Sequence, residues 1–333
     1  MSIMKQYSVN KNGEGIIPKG TTEIEKNAFD WQSGVKSVVI PTSVTKIGPQ
    51  AFSHCYDLER VVIPDSVTEI GEQAFESCSL TEIVIPSSVT KIGAKAFCCC
   101  KELKRVVIPD SVTMIGKQAF EYCTALTEIV IPPSVKRISE RTFYCCDSLL
   151  AVEIPASVIK IGKESFGNCS NLSEIKVSPQ NKIYDSRKNC NAIIETESKC
   201  LIVGCKNTAI PPSVERIGVR AFAGCRDLTG IKIPQSVKVI DEAAFRDCTG
   251  LESIEIPKSV KEIGDYAFFQ CSELKLVEFL GRLQKTYYNV FDRCTKLRAR
   301  TGMIIVPAGK GEHYKKVIWM KKHLIVESEP EEK

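Results

Sequence analysis

The stretch LERVVIPDSVTEIGEQAFESC, residues 58–78, carries two short extended segments and a bend. Val61 and Ile63 alternate as they would in a strand with one buried face. Pro64 lacks an N–H and should end that strand. Val67 and Ile70 open a second short extended segment on another side of the coil. Gly71 is expected at a tight corner, with a positive φ. Ala74 and Phe75 set a small residue beside a large one and should fill the interior at a bend.

The same unit recurs along the chain. Aligned on its phenylalanine, it appears at Phe29, Phe52, Phe75, Phe97, Phe120, Phe143 and Phe166, then at Phe222, Phe245, Phe268 and Phe291. The spacing is 23 residues, once 22, with one jump of 56, and eleven of the 13 phenylalanines lie in phase. Periodicity of this length marks a repeat architecture. One unit cannot bury its own apolar residues, but stacked copies can, with strands in parallel register about 4.8 Å apart. The expected fold is a mostly β repeat solenoid of stacked 23-residue coils with parallel strands, about 11–12 coils in all, ended by a short C-terminal capping helix.

The unit L-x-x-V/I-x-I-P-x-S-V-x-x-I-G-x-x-A-F-x-x-C resembles the leucine-rich repeat of the bacterial surface antigen A type, the BspA-like family. IPDSVTEIGEQAFESCSL, residues 63–80, carries the signature, and the likeness runs over roughly residues 16–300. The resemblance implies a curved solenoid and, for members that act at the cell surface, adhesion to host or matrix proteins.

The coils should form one solenoid over residues 1–326. Within it, 1–32 is a degenerate N-terminal capping coil, with Thr21 at the valine position, Glu25 at the glycine and Gln32 at the cysteine. Regular repeats follow over 33–174. Residues 175–208 hold two apolar runs, Ala192–Ile194 and Leu201–Val203, around the polar Glu195–Lys199, which reads as a hairpin-like extended coil. That coil either continues the core as a spacer or projects toward a ligand. Regular repeats resume over 209–300, and 301–326 is the C-terminal cap. There Phe279 and Leu280 have already replaced the Ile-Pro pair, and Tyr314, Val317, Ile318 and Lys321 fall at helical spacing with Trp319 close by. Lys315, Lys316, Lys321 and Lys322 read as a solvated face. Residues 327–333 should be an acidic disordered tail.

Charge and motifs narrow the function. Forty-five basic and 40 acidic residues are well mixed, and the net +5 is too diffuse to argue for nucleic acid. No apolar run is long enough for a transmembrane helix, so membrane insertion is not expected. Residues 1–15, MSIMKQYSVNKNGEG, lack the apolar core of a secretory signal. As written the chain is expected in the cytoplasm; the alternative is the cell surface or secretion, if a leader has been removed. His54, His313 and His323 are scattered, and no H-E-x-x-H, G-x-S-x-G or phosphate-binding glycine motif occurs. No enzyme activity, metal or cofactor is expected.

The cysteines sort by phase. Cys55, Cys78, Cys100, Cys123, Cys146, Cys169, Cys225, Cys248, Cys271 and Cys294 each follow an in-phase phenylalanine by three residues. They should form an inward ladder of free, buried thiols, because parallel side chains cannot turn toward one another to close a disulfide. Six remain. Cys98 and Cys99 fill two variable positions of their unit, Cys145 shares the phase of Cys99, and Cys190, Cys200 and Cys205 lie in the insertion, where pairing is open.

The outward residue between the two inward strand positions is Val39, Val62, Val84, Val107 and Val130 in five successive coils, then Glu153, Lys176, Lys232, Glu255 and Glu278. A contiguous valine row on a surface marks a candidate partner-binding stripe, although valine also suits a half-exposed strand on propensity alone. Arg60, Glu82, Arg105 and Glu128 beside it alternate in sign, as do Lys46, Glu69 and Lys91 after the proline, which should offset repulsion along the stack. Two readings follow: a non-enzymatic protein-binding module for a host or matrix protein, or an intracellular scaffold that self-associates through the valine stripe.

Overall fold

A coil that buries apolar residues on three sides must close each backbone ladder with the coils above and below it. The computed structural model, which describes residues 7–287, 289–299, 302–317 and 324–329, does this in a mostly β parallel solenoid. The coils fall into two compact units, Met1–Cys169 and Ser170–Lys333.

In the first unit one side of the coil is a ladder of three-residue strands: Glu14–Ile16, Ser37–Val39 and Arg60–Val62 in one run, and Glu82–Val84 with Arg105–Val107 in another, all parallel. A second side stacks two-residue strands, Glu23–Ile24, Lys46–Ile47, Glu69–Ile70, Lys91–Ile92 and Met114–Ile115, whose isoleucines stand in register and are buried. Proline ends the first ladder in each coil, as expected, since it has no N–H to offer.

The third side is a ladder of turns rather than strands. Phe29, Phe52, Phe75, Phe97, Phe120, Phe143 and Phe166 stack with ring centroids 5.1 to 5.6 Å apart and near-parallel planes. Each phenylalanine N–H from Phe29 to Phe143 donates to a carbonyl of the next coil at 2.7 to 2.9 Å. The residues two before and two after each ring do the same. Gln50, His54, Lys95, Cys99 and Tyr122 are examples, and from Asn27 to Asn168 these positions hold φ between 54° and 60°. The left-handed conformation costs about 1 kcal/mol for a residue other than glycine. From Asn27 to Cys145 an inter-coil hydrogen bond at each such position offsets it.

Gly71 corrects the expectation of a positive φ. Positive φ falls on its neighbours Gln73 and Ser77 instead. A Cβ at Gly71 would sit 2.7 Å from the backbone carbon of Gly48 in the preceding coil, so the glycine is there for close approach.

Residues 14–32 do form a coil, with Thr21 buried and its hydroxyl donating to the Pro18 carbonyl at 2.6 Å. Ahead of it the chain adds a hairpin: Ser8–Val9 runs antiparallel to Glu14–Ile16. Tyr7 sets its ring edge on Phe29 at 5.3 Å and ends the phenylalanine stack.

In the second unit the insertion is a hairpin of Ala192–Glu195 against Cys200–Gly204, with Tyr184–Asp185 as a third antiparallel strand. Cys200–Gly204 then pairs in parallel with Arg216–Ile217 and continues through Val239–Ile240 and Glu262–Ile263. Ala192, Ile193, Ile194 and Leu201 are all buried, so the hairpin adds apolar residues to the core of this unit. Phe222, Phe245, Phe268 and Phe291 restart the ring stack at 4.9 to 5.4 Å.

The C-terminal part adds two strands that the repeat phase did not announce. Met303–Val306 and Ile325–Glu327 extend the parallel ladder of Ser253–Ile256 and Leu276–Phe279. The helix Gly311–Val317 covers this end, with Tyr314 buried, tilted against Phe279 at 4.9 Å and hydrogen-bonded through its hydroxyl to the Gly281 carbonyl. Ile318, Trp319, Lys321 and Lys322 lie outside the described residues. The tail expectation needs correcting at its start: Glu327 ends a paired strand and accepts from the Gly309 and Gly311 N–H groups at 2.7 and 2.8 Å. Residues 330–333 lie outside the described residues.

Candidate functional site: the exposed valine stripe

Alternation in a strand leaves every second side chain on the outer face, and here that face is apolar. Val39, Val62, Val84, Val107 and Val130 are between 39% and 76% exposed. Their inward neighbours Val38, Ile83, Ile85, Val106 and Ile129 are buried. Val39 is in register with Val62, and Val84 with Val107. A groove of about 380 Å³ lies on the stripe, lined by Arg60, Val62, Asp65, Glu82, Val84 and Pro86 among others. Covering one of these half-exposed valines would stabilise a contact by roughly 1 kcal/mol.

The rim is charged with both signs. Arg105 Nε stands 3.9 Å from Glu128, so the alternation beside the stripe includes one ion pair between coils. After the proline, Glu69 sits between Lys91 at 2.6 Å and Lys46 at 3.9 Å. The hydrogen bond from Lys91 holds its carboxyl below the usual range. These pairs are solvent-exposed and worth little each, but they remove like-charge repulsion from an in-register stack. Further along, Glu153, Lys176, Lys232 and Glu255 are exposed and Glu278 half-buried at the equivalent positions. Lys176 pairs with Glu174 on its own strand at 2.5 Å.

The ten phased cysteines all lie in the core, and each thiol but one donates to a phenylalanine carbonyl 25 or 26 residues earlier, at 3.0 to 3.3 Å. Cys225 reaches the Gly204 carbonyl at 3.8 Å instead. The thiol thus caps a carbonyl of the turn ladder, a role that phase alone does not disclose. In the insertion, Cys190, Cys200 and Cys205 are free thiols and form no disulfide with one another. Burial pushes the Cys100 thiol up to about 12. A maleimide applied to the folded protein should therefore modify the half-exposed Cys99 and spare Cys100. Peptide mapping that found the two modified at equal rates would contradict this placement.

One cluster escaped the sequence reading. Trp31, 63% exposed, stacks on His54 at 4.1 Å with Tyr56 against both edges. Trp31 and His54 occupy the position two after the phenylalanine, so the phase contained the signal. Among the described residues, no group of three or more His, Cys, Asp or Glu could hold a metal ion, and no helix is long and apolar enough to cross a membrane.

Comparison with known proteins agrees with this geometry. The profile of the BspA type leucine rich repeat region matches in six copies, over residues 22–109, 90–197 and 200–303. A leucine rich cell surface protein from Faecalibacterium prausnitzii superposes with a TM-score of 0.64 at 24% identity, covering 96% of this chain and 97% of that one. A leucine-rich repeat protein from Eubacterium ventriosum gives 0.64 at 21% identity over 90% of this chain and 76% of its own. One from Bacteroides ovatus gives 0.52 at 25% identity over 98% of both. No curated protein sequence matches the chain. A profile match over most of the length, on coils whose every recurring residue has a place in the stack, shows that the chain belongs to the BspA type leucine-rich-repeat family.

Proposed function

We propose that this chain is a non-enzymatic protein-binding module whose contact surface is the valine stripe of the first unit. The observation that carries the reading is the row of exposed valines, Val39 to Val130, with the groove at Val62 and Val84. Contiguous apolar rows on a surface usually mark contacts. The Faecalibacterium neighbour is described as a cell surface protein. A similar location here would offer the stripe to a host or matrix protein. The second reading is self-association, and the rim favours it. Arg60, Glu82, Arg105 and Glu128 alternate in sign, so the same edge turned through a two-fold axis can meet opposite charges.

One pair of substitutions tests both. Val84→Lys with Val107→Lys places two charges in the middle of the stripe without touching an inward position. We expect folding, followed by circular dichroism, to be unchanged. Binding in pull-downs from host matrix extract, or self-association in sedimentation velocity, should fall by about tenfold or more, the cost of burying charge where valine sat. Equal binding by the double variant would reject the stripe. Cell fractionation separates the two readings, since a purely cytosolic protein cannot be an adhesin.

A further inference from the structure

Fifteen of the sixteen cysteines are buried, and Cys99 is the exception. Its sulfur lies 3.6 Å from that of Cys98, which is 4% exposed. The backbone holds the pair in place: the Cys98 N–H donates to Lys95, its carbonyl accepts from Ser77, and the Cys99 N–H donates to Glu121 in the next coil at 2.7 Å. Cys99 has a φ of 60°, one of the left-handed positions of the turn ladder. Cys100, next in sequence, is turned away with its thiol on the Phe75 carbonyl at 3.0 Å. The fold therefore sets two thiols from a run of three side by side, Cys99 at the surface and Cys98 just beneath it.

Two features decide what such a pair can take. A direct disulfide is disfavoured, because adjacent Cα atoms lie about 3.8 Å apart, below the roughly 4.4–6.8 Å span of ordinary disulfides. A single inserted atom fits better. With bonds of about 2.3 Å to each sulfur, typical of a thiolate bound to a soft centre, a 3.6 Å separation gives an angle near 100° at that atom. The flanking carboxylates are already engaged, Glu76 with Gln73, and Glu121 with Gln118 and Arg141. Two sulfurs are thus available without a third protein donor. A tetrahedral metal would need two further ligands from solution, whereas a pyramidal three-bonded centre needs only the substituent it brings.

We propose that Cys98 and Cys99 form a two-thiol binding site for trivalent arsenic, in particular organoarsenicals of the type R–As=O. Two As–S bonds form, the arsenic–oxygen bond is lost, and the oxygen leaves as water with the two thiol protons. Arsenic stays trivalent, and no oxidant is needed. The hydrogen bond with Cys98 draws the Cys99 thiol down to about 7, while that same contact and burial push Cys98 up. Cys99 is accordingly the first sulfur to attack and Cys98 closes the chelate.

The test uses the folded full chain, phenylarsine oxide as the probe and excess glutathione as a competing monothiol. Native mass spectrometry should show one arsenical per chain, lighter by one water, resistant to glutathione and removed by dimercaptopropanol. Cys98→Ser and Cys99→Ser should each lower retention by about a hundredfold, the advantage of a second, intramolecular bond. Cys145→Ser with Cys146→Ser, the other adjacent pair, should leave it unchanged. Serine already fills these two positions in neighbouring coils, at Ser53 and Ser77, and both single variants should keep the wild-type dichroism spectrum. Failure of one to fold leaves the other to decide. The proposal is overturned if wild type retains no adduct, if either single serine variant retains it as wild type does, or if the adduct persists in the Cys98→Ser/Cys99→Ser double variant.

Discussion

Phe120→Ala is expected to destabilise the first unit by about 3–5 kcal/mol, the range for emptying a fully buried aromatic site. Phe120 is 0% exposed and lies between Phe97 at 5.4 Å and Phe143 at 5.6 Å, with its ring parallel to both. Removing it takes away apolar burial and two stacking contacts at once, each worth about 0.5–1.5 kcal/mol beyond area. The cavity would be walled by stacked rings whose backbone N–H groups are bonded from coil to coil, so the site has little freedom to collapse. In a repeat array a coil contacts only its neighbours. Hydrogen exchange should therefore lose protection first at residues near Phe97, Phe120 and Phe143, ahead of the second unit. Phe120→Leu, which refills most of the volume, should cost less than half as much. Urea unfolding that placed Phe120→Ala within about 1 kcal/mol of wild type would mean that the ring stack is not what holds the coils together.

Such a prediction was within reach of the sequence because large apolar side chains report burial directly: the phase of the phenylalanines gave the stack, and the alternation Val61, Val62, Ile63 gave the outward valine. Features imposed on the backbone were less legible. Gln50, Lys95, Cys99 and Tyr122 share a left-handed φ but no side-chain type, since what they have in common is an N–H aimed at the next coil. The thiol-to-carbonyl bonds were hidden for a related reason. A cysteine three residues after phenylalanine looks like a small core residue until the Phe carbonyl 26 residues back is placed beside it. The strand Met303–Val306 carries only part of the signal: Ile304, Val306 and Pro307 repeat the inward-outward-inward-proline order, but no phenylalanine follows to set the phase. Trp31 was hidden by the opposite effect. Its position accepts any residue, so an exposed aromatic there breaks no pattern, and only the stacking on His54 reveals the cluster.

Gly116→Val is expected to cost about 3 kcal/mol or more, the upper end for forcing atoms into a filled space. A Cβ at Gly116 would lie 2.4 Å from the Ala94 nitrogen and 2.6 Å from the Gly93 carbon. Both are backbone atoms of the preceding coil, and that coil is fixed in turn by the Gly116 N–H donating to the Ile92 carbonyl at 2.9 Å. No side chain can rotate away, so relief requires two coils to separate at the ladder. The chain itself shows what a tolerated exception needs. Ser139 and Asp241 stand at the same phase. The Ser139 hydroxyl donates at 2.7 Å to the Ile115 carbonyl, the counterpart of the acceptor that the glycine N–H uses in other coils. Asp241 holds Arg216 of the coil before it at 2.6 Å. Each brings a polar group that makes an inter-coil bond of its own, which valine cannot do. Gly116→Ser should therefore lose clearly less stability than Gly116→Val, by about 1 kcal/mol, the worth of one such hydrogen bond. Equal losses would assign the glycine's role to steric fit alone. A Gly116→Val protein as stable in urea as wild type would show that the coils can separate without cost.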